Sequence, residues 1–156
     1  MVCRVYDVVL SGREGTGDRG QGTGDSNQQR RNVEAQSAGK IQSHRDLVAW
    51  RKAMDLAVDV YRLSQRFPRD EIYRLTSQLT RAAASVPANI AEGHARSSPR
   101  QYAYHVSVAK GSLMETETFI MLSVRLGYVT PGDASPALEL ITEISKMLTR
   151  LHSRLT

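Results

Sequence analysis

From Ser43 to the C-terminus, apolar residues recur every three or four positions and nowhere alternate in pairs. This periodicity marks amphipathic helices and gives no support for strands. The breaks between the apolar stripes are short and carry turn chemistry: Pro68, Gly93, Gly127 and the run Thr130-Pro131-Gly132-Asp133. Short connections between successive helices force neighbours to run antiparallel. The expected fold is therefore all-α, an up-down-up-down four-helix bundle.

The first helix is expected over 44–67, with Ser43 and Asp46 as a capping box. Leu47, Trp50, Met54, Ala57 and Tyr61 form its apolar face, and Pro68 stops it. The second is expected over 70–92, with Ile72, Leu75, Leu79, Ala82, Val86 and Ile90 facing the core. A second face is small (Ser77, Thr80, Ala84, Ala88, Ala91), which suits close approach of another backbone. A third stripe is polar: Arg74, Gln78, Arg81, Ser85, Asn89 and Glu92 fall within about 80° of one another on a helical wheel. Pro87 interrupts this helix from inside, removes the bond to the carbonyl of Ala83 and is expected to bend it. Gly93 reads as the terminator. Pro87, Asn89, Glu92 and Gly93 are read as structural, with Asn89 and Glu92 satisfying backbone groups freed at the bend.

The third helix is expected over 99–126, with Ser98 as N-cap, Pro99 at the first position and Gln101 as capping-box partner. Tyr102, Val106, Ala109, Leu113, Ile120 and Val124 form one stripe, Val108, Phe119 and Leu126 a second, and Met114 and Met121 widen the apolar surface. That exceeds the roughly 100° arc of a surface helix, so the helix is either central or covered by another subunit. The fourth helix is expected to start with Ser135 as cap and Pro136 at its first position. Ile141, Ile144, Leu148, Leu151 and Leu155 face inward, and Lys146, Arg150 and Arg154 step along the outer face.

Residues 1–40 differ in kind. They are glycine-rich, polar and almost free of apolar side chains after the first ten. Such a segment cannot offset the entropy of ordering, and a disordered tail before a 41–156 bundle is expected. An alternative is that translation starts downstream and this segment is read-through. The next methionine, Met54, lies inside a helix, so that start would need a non-AUG codon. The single cysteine, Cys3, allows no intrachain disulfide. No apolar run reaches the roughly 20 residues of a membrane span. The protein is read as cytoplasmic.

The chain carries 21 Lys and Arg against 16 Asp and Glu, a net charge of +5, with arginine dominant. Arginine's planar fork suits phosphate, and this charge is compatible with nucleic-acid binding. No Glu-x-x-His pair, phosphate loop or nucleophile elbow occurs. His44, His94, His105 and His152 are scattered, and His105 is read as a packing residue. No catalytic residue, metal site or cofactor is expected.

Three segments carry a resemblance: RDLVAWRKAMDLAVDVYRL at 45–63, FPRDEIYRLTSQLTRAAASVPANIAEG at 67–93, and AKGSLMETET at 109–118 followed by LGYV at 126–129. In this order they resemble the four-helix-bundle family of large-subunit rRNA intervening-sequence proteins, which includes the accessory variability determinant proteins of bacterial diversity-generating retroelements. The chain departs from the family pattern at Arg74, where glycine is common, at Thr80, where a basic residue often precedes Arg81, and at Gln101 and His105. The resemblance implies a homo-oligomer, a pentameric barrel with a basic surface. In the retroelement members it implies nucleic-acid binding and a reverse-transcriptase partner. The functional expectation is an oligomeric accessory protein that binds RNA or DNA backbones without sequence specificity. Candidate contacts are Arg74, Arg81, Arg96, Arg100, Lys110, Lys146, Arg150 and Arg154. Arg81 has an alternative role, pairing with Glu92, and the last three also complement the end of the fourth helix. The alternative function is a protein-binding scaffold.

Overall fold

A computed structural model describes residues 42–156. Expectations for residues 1–40 and Cys3 lie outside the described residues. Among those described there are four α-helices and no strand: α1 (Val48–Ser64), α2 (Ser77–His94), α3 (Pro99–Arg125) and α4 (Pro131–Leu155). Each helix packs on the next, α4 returns to α1, and the diagonal pairs barely touch. This is the up-down-up-down bundle that the short connections require.

The core is aliphatic. Leu56, Leu79, Ile90, Leu113, Ile120, Ile141, Ile144 and Leu148 are fully buried, one or more from every helix. Each contributes about 1.5–3 kcal/mol relative to exposure. Two polar groups inside it are self-satisfied: buried Thr116 donates to the carbonyl of Ser112 (2.8 Å) and buried Ser123 to that of Ile120 (2.7 Å).

The core face of α1 differs from expectation. Ala49, Ala53, Leu56, Val60 and Leu63 point inward, while Tyr61 is exposed and Met54 and Trp50 are half-buried. Small alanines let α1 sit close to its neighbours, and the bulky rings move to the edge, where Trp50 packs edge-on against His44 at 5.0 Å. The Ser43–Asp46 box forms, with Asp46 accepting from the Ser43 amide at 2.9 Å, but it caps a separate 3-10 turn (His44–Asp46) ahead of α1. The backbone bonds holding it pull the Asp46 carboxyl below its ordinary value of 3.8.

The second helix does not run from residue 70. A 3-10 turn (Arg69–Glu71) and a π turn (Ile72–Thr76) precede α2, with Arg74 outside helical geometry at φ −112°, ψ −109°. This displacement leaves Ile72 exposed instead of in the core. Glu71 fixes the segment, accepting from the Leu75 amide (3.2 Å) and from the Tyr128 hydroxyl (3.1 Å). The second bond ties the α1–α2 connection to the α3–α4 connection and raises the Tyr128 pKa above its ordinary 10.0.

The fourth helix starts earlier than expected. Thr130, not Ser135, is its N-cap. Its Oγ1 accepts from the Asp133 amide (3.2 Å), and the Asp133 carboxylate accepts from the Thr130 amide (3.2 Å). A complete capping box outweighs the turn character of Pro131-Gly132, and proline suits the first turn. Pro136, still in the first two turns, is accommodated within α4. Arg66 pairs with Asp133, and Lys52 of α1 with Glu143 of α4 at 2.5 Å, along the seam that closes the bundle.

Candidate nucleic-acid interface

The most extensive helix packing is between α2 and α3. Ser112 donates to Ser85 Oγ at 3.0 Å across this seam. Asn89 Nδ2 donates to the Ser85 carbonyl (2.9 Å) and Oγ (3.0 Å), which leaves its Oδ1 to meet His105 Nδ1 at 3.3 Å. Asn89 Oδ1 can only accept, so Nδ1 of His105 carries the proton. His105 Nε2 lies 3.7 Å from the Glu92 carboxylate, which also pairs with Arg96.

These contacts revise the roles expected around Pro87. Pro87 is buried and α2 continues through it. Asn89 does bond backbone beside the bend, donating to the Ser85 carbonyl, though not to the Ala83 carbonyl that Pro87 leaves without its usual donor; it also reaches Ser85 Oγ and His105 of α3. Glu92 serves side chains rather than freed backbone. Gly93 does not terminate α2, which extends to His94. A Cβ at Gly93 would lie 2.6 Å from Tyr102 Cδ2 and 2.9 Å from His105 Cβ. The glycine is there for the close approach of α3.

That approach sets the α2–α3 turn. Arg96 bonds the carbonyl of Gly93 through its amide (3.1 Å), and Ser98 enters α3 in extended geometry. Ser98 is the N-cap but its hydroxyl makes no capping bond, so the box expected with Gln101 does not form. The turn opens a cleft of about 630 Å³ lined by Arg96, Ser98, Arg100, Gln101, Tyr104 and His105. Tyr104 is 66% exposed and stands edge-on to His105, ring centroids 5.4 Å apart. Tyr102 turns the other way. Its hydroxyl is buried without a partner among the described residues, and burial raises its pKa above 10.0.

The cleft can do two things chemically. Arg96 and Arg100 offer forked donors to phosphate, with Glu92 offsetting part of the Arg96 charge. Tyr104 offers a flat, exposed ring, and aromatic stacking is worth about 1–3 kcal/mol per base. Sequence reasoning missed Tyr104. The signal was its position: two residues past Tyr102 is about 200° around a helix, so the two rings cannot both face the core.

The other expected contacts do not join this cleft as one patch. Arg81 lies in a separate groove between α2 and α3 and makes no ion pair with any described residue, since Glu92 engages Arg96. Arg74 is exposed in the π turn, at the opposite end of α2 from Arg96. Lys110 is half-buried midway along α3. Lys146, Arg150 and Arg154 are exposed on the outer face of α4, as their spacing predicts. Among the described residues no group of His, Cys, Asp or Glu is placed to hold a metal ion, and no helix is long and apolar enough to cross a membrane.

The model of the 23S rRNA-intervening sequence protein family matches residues 45–150. The chain belongs to this family. The match takes in α1 to α3, the α2–α3 turn and most of α4. A solved structure of a protein of unknown function from the S23 ribosomal protein family of Bacteroides thetaiotaomicron is similar at 24% identity. The alignment covers 67% of this chain and 98% of that one, with a TM-score of 0.63. That likeness supports the fold alone. No curated protein matches the chain.

Proposed function

We propose that this family member is a non-catalytic, homo-oligomeric accessory protein, acting in the cytoplasm, that binds RNA or DNA largely through the backbone. The observation that carries this reading is the α2–α3 cleft, where Arg96, Arg100 and the exposed ring of Tyr104 converge. Guanidiniums on phosphate with a ring under a base is the minimal equipment for holding a single strand without reading its sequence. The exposed cations of α4 add to the field that draws a polyanion in.

Oligomerisation is supported by apolar surface that one chain leaves uncovered. Met114, Met121 and Leu122 are exposed on α3 and Leu126 just past its end, and Ala84 and Ala88 present a small, exposed face on α2. A pentamer, suggested by the family resemblance, would repeat each cleft around a ring and convert modest single-site affinity into avidity. A retroelement role, with a reverse transcriptase as partner, extends the same reading.

A protein-binding scaffold is the second reading, favoured by the exposed Ile72 and Tyr73 of the π turn. Mass by light scattering, with and without a short structured RNA at low and moderate salt, separates the two. An oligomer that gains mass with RNA and releases it as salt rises supports the first reading. An oligomer that ignores RNA favours the scaffold, and a monomer contradicts the assembly.

A further inference from the structure

The groove that holds Arg81 differs electrostatically from the α2–α3 cleft. It has a volume of about 450 Å³, within the roughly 300–1,000 Å³ of small-molecule sites. The residues that matter on its walls are Tyr73, Gln78, Arg81 and Ser85 from the α2 side and Ser112 and Glu115 from α3. A phosphate would meet the Glu115 carboxylate there, so the groove is poorly built for an anion. It is built for a neutral ligand with donors and acceptors side by side.

Two unused groups sharpen this. Arg81 has no carboxylate partner among the described residues. The Ser85–Ser112 pair holds two hydroxyl protons, of which one is spent between them, while Asn89 donates into Ser85. Whichever serine donates, one hydroxyl proton has no acceptor among the described residues. At the rim, Tyr73 is 94% exposed.

We propose that this groove is a guanine pocket for an unpaired nucleotide of bound single-stranded RNA, which rests on the nucleic-acid reading above. Guanine alone among the common bases places two donors, N1–H and the N2 amino group, side by side, and a carboxylate such as Glu115 accepts both. Its O6 and N7 are acceptors, which suit Arg81 and the spare serine proton. Adenine and cytosine would turn a ring-nitrogen lone pair toward the carboxylate, and uracil a carbonyl. Tyr73 supplies the stacking face.

The test is fluorescence anisotropy with labelled RNAs UUGUU, UUAUU and UUUUU. The guanosine RNA binds roughly 10- to 100-fold more tightly than the others. Glu115→Gln brings it to the affinity of the uridine RNA. Tyr73→Leu, a change on a solvent-exposed side chain, is the second variant and weakens the guanosine RNA selectively. Equal binding of all three RNAs by the unmodified protein overturns the guanine pocket and leaves the backbone-binding reading standing. If none of the RNAs binds, the backbone-binding reading falls and the pocket is decided with free guanosine. NMR shifts at the Ser112 and Glu115 amides on adding guanosine but not adenosine support it, and their absence overturns it.

Discussion

Replacing Gly93 by alanine tests the packing that shapes the α2–α3 turn. The added Cβ meets Tyr102 Cδ2 at 2.6 Å and His105 Cβ at 2.9 Å. Carbon atoms pack at about 3.5–4.0 Å, so α3 must retreat by roughly 1 Å. The tyrosine ring can swing aside, but the His105 Cβ is fixed to the α3 backbone. Overpacking of this kind costs about 1–3 kcal/mol. Alanine regains about 0.8–1.0 kcal/mol of helix propensity. The net loss is about 1 kcal/mol, or on the order of 4 °C in Tm. Gly111→Ala is the matched control, since among the described residues nothing lies within 4 Å of where its Cβ would be. It should gain propensity alone and raise Tm by a similar amount. Thermal melts at one fixed protein concentration read both. A Gly93→Ala protein as stable as the parent would refute the close-approach reading.

Other outcomes follow from the same geometry. Asn89→Ala removes the bridge between Ser85 and His105 and should cost about 1–2 kcal/mol in chemical denaturation, whereas an unchanged midpoint and oligomer mass would contradict its role. Tyr104→Ala should weaken single-stranded RNA binding by about 1–3 kcal/mol, while Tyr104→Phe keeps the stacking face and should bind normally. The Asp133 carboxyl is held below its ordinary 3.8 by the Thr130 hydroxyl and then by Arg66. A lowered folded value means the folded state binds fewer protons, so this stabilisation is complete above pH 3.8 and is lost as pH falls through the folded value. Asp133→Asn should therefore flatten the loss of stability below pH 3.8, which acid titration followed by circular dichroism measures.

The bundle was legible because its information is periodic. Leu79, Val86, Ile90, Val106, Leu113, Ile120, Ile141, Ile144 and Leu148 were all assignable to the core from spacing, and all are buried. Errors arose where size or local hydrogen bonding competes with period. In α1 the alanines took the interior from Met54 and Tyr61. At the start of α4 the reciprocal Thr130–Asp133 bonds prevailed over a Pro-Gly turn signal. The π turn that leaves Ile72 exposed is held by Glu71 through a local bond from the Leu75 amide and a second from Tyr128, 57 residues away, which no local window contains. The site was legible only in part. Arg96 and Arg100 could be named as basic residues, but their convergence with Tyr104 follows from how α3 re-enters after Gly93. Gly93 reads as a helix terminator because a glycine near a helix end looks alike in sequence whether it caps the helix or, as here, admits a neighbour.

A salt titration of single-stranded RNA binding, comparing the parent protein with Arg96→Gln/Arg100→Gln, tests the central claim most directly. Each phosphate contact contributes about 0.7 to the slope of log K against log salt on a single strand. The account predicts weaker binding and a slope shallower by about 1.4 in the double variant. An unchanged affinity and slope would contradict it.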